Sequence, residues 1–176
     1  YFPSTTGKGG SSTDVGSAQM SSSFGPSTCQ IVHIQPLQSS STKPRSKRLP
    51  QVKSPKVYIR DSGILHALLN LPGSTIFSHP KLGASWEGFI IEQILGQLKS
   101  GEAYFWATHS GAELDMLMFR SGKRLGFEIK FSDAPTRTKS MLTAQKDLNL
   151  DHLYVVYPGS KSYPLDERIQ AIGIND

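Results

Sequence analysis

Between Gly111 and Lys130 the chain reads GAELDMLMFRSGKRLGFEIK, two alternating runs on either side of Arg120-Ser121-Gly122-Lys123. Ser-Gly is a pair that tight turns use, because glycine tolerates positive φ, so the pattern predicts a β-hairpin. With Ser121 and Gly122 as the loop, Arg120 faces Lys123 and every outward step keeps that register. Asp115 is then expected opposite Glu128, and Glu113 opposite Lys130. Side chains alternate across a strand. One face is therefore expected to carry Glu113, Asp115, Glu128 and Lys130. The other carries Leu114, Met116 and Met118 against Ile129, Phe127 and Leu125, which makes it a core face.

Elements on both sides extend the pattern. ILHALLNL after Asp61-Ser62-Gly63 predicts a short helix ended by Pro72-Gly73. Ala84 to Lys99 places Trp86, Phe89, Ile90, Ile94, Leu95 and Leu98 at the spacing of an amphipathic helix, with Glu87 at the margin of the stripe and Glu92 well away from its centre. AYFWATH reads as a strand. A helix is expected from about Thr138 to Leu148, approached through Asp133 or Pro135. HLYVVYPG is a continuous apolar run typical of a buried strand, and RIQAIGI is a last strand. From Ala84 the order is helix, three strands, helix, strand, strand, which predicts a mixed α/β layer structure with a helical crossover back into the sheet.

The chain before about Ser46 has a different composition, rich in Ser, Thr, Gly and Pro. Too little apolar area is available there to offset ordering entropy, so residues 1–46 are expected to be a largely disordered leader, with a short strand over Ile31 to Leu37. Residues 47–176 form the expected domain. TTGKGGSST, Thr5 to Thr13, lacks the first glycine of a phosphate loop and has no apolar strand before it, so it reads as flexible linker. KPRSKRLPQVKSPKVYIR, Lys43 to Arg60, is a basic, proline-punctuated run that leads into a strand near Val57 to Ile59 and could touch phosphate backbones.

Charge follows the same division. The whole chain carries +5, but residues 1–60 hold eight Lys or Arg against one acid, while residues 61–176 hold eleven against thirteen. The slightly acidic folded part weighs against tight DNA binding by the domain alone. Lys123, Arg124, Arg137, Lys139 and Lys146 are expected to supply a local basic rim. Cys29 is the sole cysteine, which excludes an intrachain disulfide and a thiolate metal cluster and fits a reducing compartment. No stretch reaches the ~18 apolar residues of a membrane span, and no signal-peptide pattern opens the chain, so a cytoplasmic protein without membrane contact is expected.

Like charges directly opposed on a hairpin are destabilising. Lys130, a shared proton or a divalent cation could compensate for Asp115 beside Glu128, and hard oxygen ligands suit Mg2+ or Mn2+. A solvated face with Glu113 and Lys130 as a cross-strand ion pair is the plainer alternative. His33, His79 and His152 show no metal spacing, and His66 reads as a surface or core histidine.

An acid on the first helix, Glu87, Asp115 on the second strand and Glu128-Ile129-Lys130 on the third resemble the PD-(D/E)XK nuclease superfamily, with its restriction-endonuclease-like core. The ordered segments VYIRDSGILHALL, LGASWEGFIIEQIL, YFWATHSGAELD and FEIK, spanning about Pro50 to Ile174, resemble more closely the C-terminal domain of unknown function carried by many prokaryotic AAA-type ATPases. The resemblance implies that Glu87, Asp115 and Glu128 ligate one or two Mg2+ ions and that Lys130 orients or deprotonates the attacking water. It implies a DNA endonuclease as the activity, with DNA and an AAA-type ATPase as partners. Carboxylates hold a hard cation that polarises a phosphodiester, and a lysine beside it stabilises developing charge.

Glu113 has no fixed role in the general pattern. Gln145 on the following helix could reach the site but reads as a surface amide, and His109 and Trp106 read as rim or packing residues. The chain departs from those ATPases in having no phosphate loop, so no ATP hydrolysis is expected of it. Traces of the connecting segment over Ile31 to Lys56 admit a truncated or frameshifted relative. The competing expectation is a non-catalytic module that docks on an ATPase or on DNA. Neither reading sets an oligomeric state.

Overall fold

A computed structural model of the chain describes residues 31–36, 55–97 and 103–176. Strand β1 (Ile31–Pro36) comes first, then β2 (Lys56–Ile59), helix α1 (Ser62–Leu68), a 3-10 turn (Thr75–Ser78) and α2 (Leu82–Gln97). β3 (Ala103–Ala107), β4 (Glu113–Arg120) and β5 (Lys123–Ile129) follow, then α3 (Lys139–Leu148), β6 (His152–Tyr157), β7 (Tyr163–Asp166) and β8 (Ile169–Gly173). The strands form one mixed sheet in the order β2-β1-β3-β4-β5-β6-β8-β7.

The centre of the sheet is a meander. β3, β4 and β5 pair antiparallel, and the turn at Ser121 and Gly122 takes φ of 51° and 75°, as a two-residue hairpin requires. Its register is the expected one: Arg120 pairs with Lys123 and Met116 with Phe127. α3 then carries the chain back so that β6 lies parallel to β5. Thr138 caps α3 by accepting from the Met141 amide at 3.3 Å, and Asn149 closes it in the left-handed conformation at φ 50°. β8 adds parallel to β6. β7, which the sequence pattern did not reveal, pairs antiparallel on the outer edge, where Pro164 can sit without an amide to donate.

β1, inside the stretch assigned to the leader, pairs parallel with β3 and antiparallel with β2. The rest of residues 1–46, including Thr5 to Thr13 and Cys29, and the basic run up to Ser54 lie outside the described residues.

Helices cover both faces of the sheet. Met141, Ala144 and Leu148 of α3 pack on Trp106, Leu114, Leu117, Leu153, Val155 and Ile169. Ile90 and Ile91 of α2 pack on Ile34, Phe105, Met116, Met118 and Ile129. Two apolar layers flank one sheet.

α2 begins two residues before the expected Ala84, and its buried line runs through Ser85, Gly88, Ile90 and Ile91. Trp86, Phe89, Ile94 and Leu95, the centre of the expected stripe, are only half-buried. Gly88 sets this rotation: a Cβ there would stand 3.3 Å from the Tyr58 ring, so the missing side chain lets α2 lie close against β2. Glu87, its neighbour, is thereby turned toward Lys56 and Tyr58. Glu92 is not a solvated outer residue either; it pairs with Arg60 of the segment after β2.

Candidate functional site

A defect in strand pairing builds the site. Along β3 and β4, Tyr104 faces Leu117, yet Trp106 faces Leu114. Asp115 and Met116 therefore oppose Phe105 alone, a β-bulge that adds one residue to β4 and resets its side-chain alternation. Leu114 consequently packs beside Leu117 on the α3 side, while Met116 and Met118 pack on the α2 side.

This corrects the expectation of one core face and one charged face. Both faces of the hairpin are apolar, and the charges gather at its open end. The β4–β5 pairing stops at Met116 and Phe127. Beyond it, Asp115 Oδ2 accepts a hydrogen bond from the Ile129 amide at 2.9 Å, so a side chain takes the place of a strand partner.

The bulge aims Asp115 at the α2 side. Asp115 Oδ1 and Glu87 Oε1 each accept a hydrogen bond from Lys56 Nζ at 3.1 Å, and Tyr58 Oη donates to the same Glu87 oxygen. Lys56 also lies 5.7 Å from the centroid of the Phe105 ring, within the α2-side layer. Glu128 leaves β5 next to Val155 of the α3-side cluster. Its Oε1 pairs with Lys130 Nζ at 2.6 Å, and its Oε2 is buried with no hydrogen-bond partner. Asp115 and Glu128 thus start from opposite sides of the sheet and meet electrostatically around its open end. Lys130 pairs with Glu128 and not with Glu113, as the plainer alternative had it.

Burial and crowding of like charge shape the protonation of the cluster. Burial first, then the Asp115 carboxylate, pushes the Glu128 carboxyl up to about 7, while Lys130 pulls the other way. Glu87 is raised by burial and by Asp115, against Lys56 and Tyr58. Burial opposes the charge of Lys56 and Lys130, but the neighbouring carboxylates outweigh it and both ammonium groups are held above their ordinary value. Burial and the Glu87 bond raise the Tyr58 hydroxyl and keep it a donor. Asp115 is the hub, since its charge acts on all five groups.

The four residues singled out from sequence fall into two separate pairs. Glu87 and Asp115 share Lys56; Glu128 and Lys130 form a second pair. Among the described residues no three His, Cys, Asp or Glu side chains form a group that could hold a metal ion. The donor chemistry still fits a hard divalent cation, since all candidates are carboxylates and Glu128 Oε2 is bare.

The surrounding candidates take other places. Glu113 is exposed and tied by its backbone to Ser140 of α3 through two hydrogen bonds of 2.8 Å. Gln145 is half-buried and lends its backbone carbonyl to the end of α3. Trp106 is core, His109 exposed, and His66 hydrogen-bonded to Ser85 at 2.7 Å. The basic rim is corrected at three of its five positions. Lys123 and Arg124 sit at the hairpin's turn, five and four residues or about 17 and 14 Å along β5 from Glu128, and Arg137 is paired with Asp166.

Lys56 and Tyr58 were not foreseen. The available signal was the Lys-x-Tyr alternation, which puts both on one side of β2 and leaves Val57 between them exposed.

The sequence pattern of a family described as a domain of unknown function (DUF4143) matches residues 82–176, which include Glu87, Asp115, Glu128 and Lys130. Two uncharacterized proteins, from Mycobacterium bovis and Mycobacterium tuberculosis, are each 45% identical over 123 residues. The alignment covers 69% of this chain and 28% of each relative, so the chain spans little more than a quarter of their length. No solved structure matches it.

Proposed function

This chain belongs to the DUF4143 family of domains of unknown function, and on that footing we propose that it is a Mg2+-dependent endonuclease-like domain of the PD-(D/E)XK type. The observation that carries the reading is Glu128. A carboxylate oxygen is buried without a partner, next to a lysine and within the field of a second buried acid. Buried polar atoms normally find partners, and a hard cation is one that a carboxylate-rich site would take.

In this reading Glu87, Asp115 and Glu128, two separate groups in the metal-free chain, would be drawn together to hold the cation, which would neutralise phosphate charge and make nearby water more acidic. Lys130 stands beside Glu128 as the charged donor for a phosphate oxygen or for the attacking water. The backbone does the orienting: the Ile129 amide fixes one oxygen of Asp115, and Glu128 and Lys130 flank that residue.

The test is calorimetric titration of Mn2+ into the wild type and Asp115→Asn, together with plasmid nicking in Mn2+ by the wild type and Lys130→Ala. Binding lost in Asp115→Asn, with nicking lost in Lys130→Ala, supports the reading. Equal nicking by both proteins, or no Mn2+ binding by either, rejects it.

One observation favours a second reading. Lys56 already bridges Glu87 and Asp115 and offsets one of their two negative charges, as a site kept for structure would require. The domain would then be a non-catalytic module that docks on DNA or on an AAA-type ATPase. Stoichiometric recovery of such an ATPase with the purified chain, without Mn2+ binding, would select it.

A further inference from the structure

Lys56 reaches the site from β2, 31 residues before Glu87 and 59 before Asp115. Its ammonium stands 3.1 Å from one oxygen of each. That is the arrangement of a cation bridging two carboxylates, with an amine in place of an ion. The lysine is not a loose surface side chain: its side chain is 25% exposed, Asp115's is 8% and Glu87's is 21%. Its ammonium packs over Phe105, the residue that alone faces the bulge. Tyr58 from the same strand face donates to the same Glu87 oxygen that Lys56 contacts. β2 therefore brings a preformed pair of donors to the two acids.

We infer that Lys56 is an internal counter-cation of this site: it holds Glu87 and Asp115 together when no metal is bound, and a divalent cation must displace it to engage both. The inference rests on the reading of the site as a cation centre. Two positive groups that share a pair of carboxylates at ~3 Å repel each other, and the more strongly the less water surrounds them, as at these largely buried side chains. Either the amine swings out toward solvent, which its partial exposure allows, or the metal is excluded. Lys56 thereby sets the cation concentration at which the site changes state, and it explains why Glu87 and Asp115 form a closed unit while Glu128 keeps a bare oxygen. Bare Mg2+ or Mn2+ is the ligand class concerned. Lys130, whose ammonium is engaged by Glu128, is not displaced in the same step.

The experiment is Mn2+ calorimetry on the full chain as wild type, Lys56→Met and Lys56→Arg, with Asp115→Asn as the site control. Methionine keeps the length and apolar stem that cover Phe105 but removes the competing charge. Lys56→Met is expected to bind Mn2+ at least tenfold more tightly than wild type, about 1.4 kcal/mol. Lys56→Arg is expected to bind no more tightly than wild type. A second readout is independent of any activity: saturating Mn2+ should raise the Tm of Lys56→Met more than that of wild type. If Lys56→Met does not fold, Lys56→Gln carries the same test. Equal or weaker binding by the folded Lys56 variants overturns the inference and leaves the cation site standing. Absence of Mn2+ binding in wild type, Lys56→Met and Lys56→Gln overturns both.

Discussion

Glu128→Gln should convert a pH-dependent fold into one less sensitive to pH, and the size of the change follows from the environment of the carboxyl. The Glu128 side chain is 4% exposed, with Lys130 on one oxygen and nothing on the other. Burial and the Asp115 charge raise it from an ordinary 4.5 to about 7. The folded chain therefore holds this proton more tightly than the unfolded chain. Between pH ~4.5 and ~7 the folded state binds more protons, so stability falls as pH rises. The contribution is complete below the unfolded value and is lost as pH passes through the folded one. At ~1.4 kcal/mol per pKa unit the loss approaches about 3 kcal/mol. Lys130 stays charged across this window, because its own shift is upward. Glu87 titrates in both proteins and largely cancels in the difference.

The assay is urea unfolding of wild type and Glu128→Gln in chelator, followed by Trp86 and Trp106 fluorescence, at intervals from pH 4.5 to 8. Glutamine is neutral throughout, so the variant should gain about 3 kcal/mol on the wild type across that range. A difference that stays flat, or that moves toward the wild type with rising pH, would refute the account of Glu128 as a buried, under-partnered acid.

Three further predictions concern the frame that carries the site. Gly173→Ala should lower stability by roughly 1–3 kcal/mol or more, read as a fall in Tm, because its Cβ would stand 2.6 Å from the Gly159 carbonyl oxygen and 2.8 Å from the Lys161 amide, both backbone atoms. Leu153→Ala removes a fully buried side chain from the α3-side layer and should cost about 2–5 kcal/mol in urea unfolding. Thr138→Ala removes the cap of α3 and should cost about 1 kcal/mol, measured the same way.

The hairpin was legible because Ser-Gly and the flanking alternation fix a turn, and a turn fixes a register. The bulge was not. Its signal would be a break in alternation, yet Leu114, Met116, Leu117 and Met118 are all apolar and helices cover both faces, so any parity of that run buries hydrophobic groups. The pattern shows that β4 is core without showing which way each residue points. β7 escaped notice because it is a short edge strand interrupted by Pro164, where propensity argues against a strand and only the neighbouring β8 supports one. The candidate acids were legible because carboxylates in a core-like run demand compensation. Lys56 was not, because the compensating charge comes from a four-residue strand far away in sequence.

The bulge and Lys56 are linked consequences of the same need. Without the extra residue, strict alternation from Met116 would turn Asp115 to the α3 side, into the layer of Leu114 and Leu117 and away from Lys56 and Glu87. With it, Asp115 faces the same side as Met116, reaches Lys56 and Glu87, and still binds the Ile129 amide where strand pairing has ended. The irregularity therefore places a buried acid at the mouth of the sheet, between two lysines approaching from different elements. One lysine closes Glu87 and Asp115 into a unit, and the other leaves half of Glu128 bare. A cation of the kind proposed would meet Glu128 with an oxygen free and Asp115 with its oxygens engaged, so the order in which these carboxylates would accept it follows from the strand register itself.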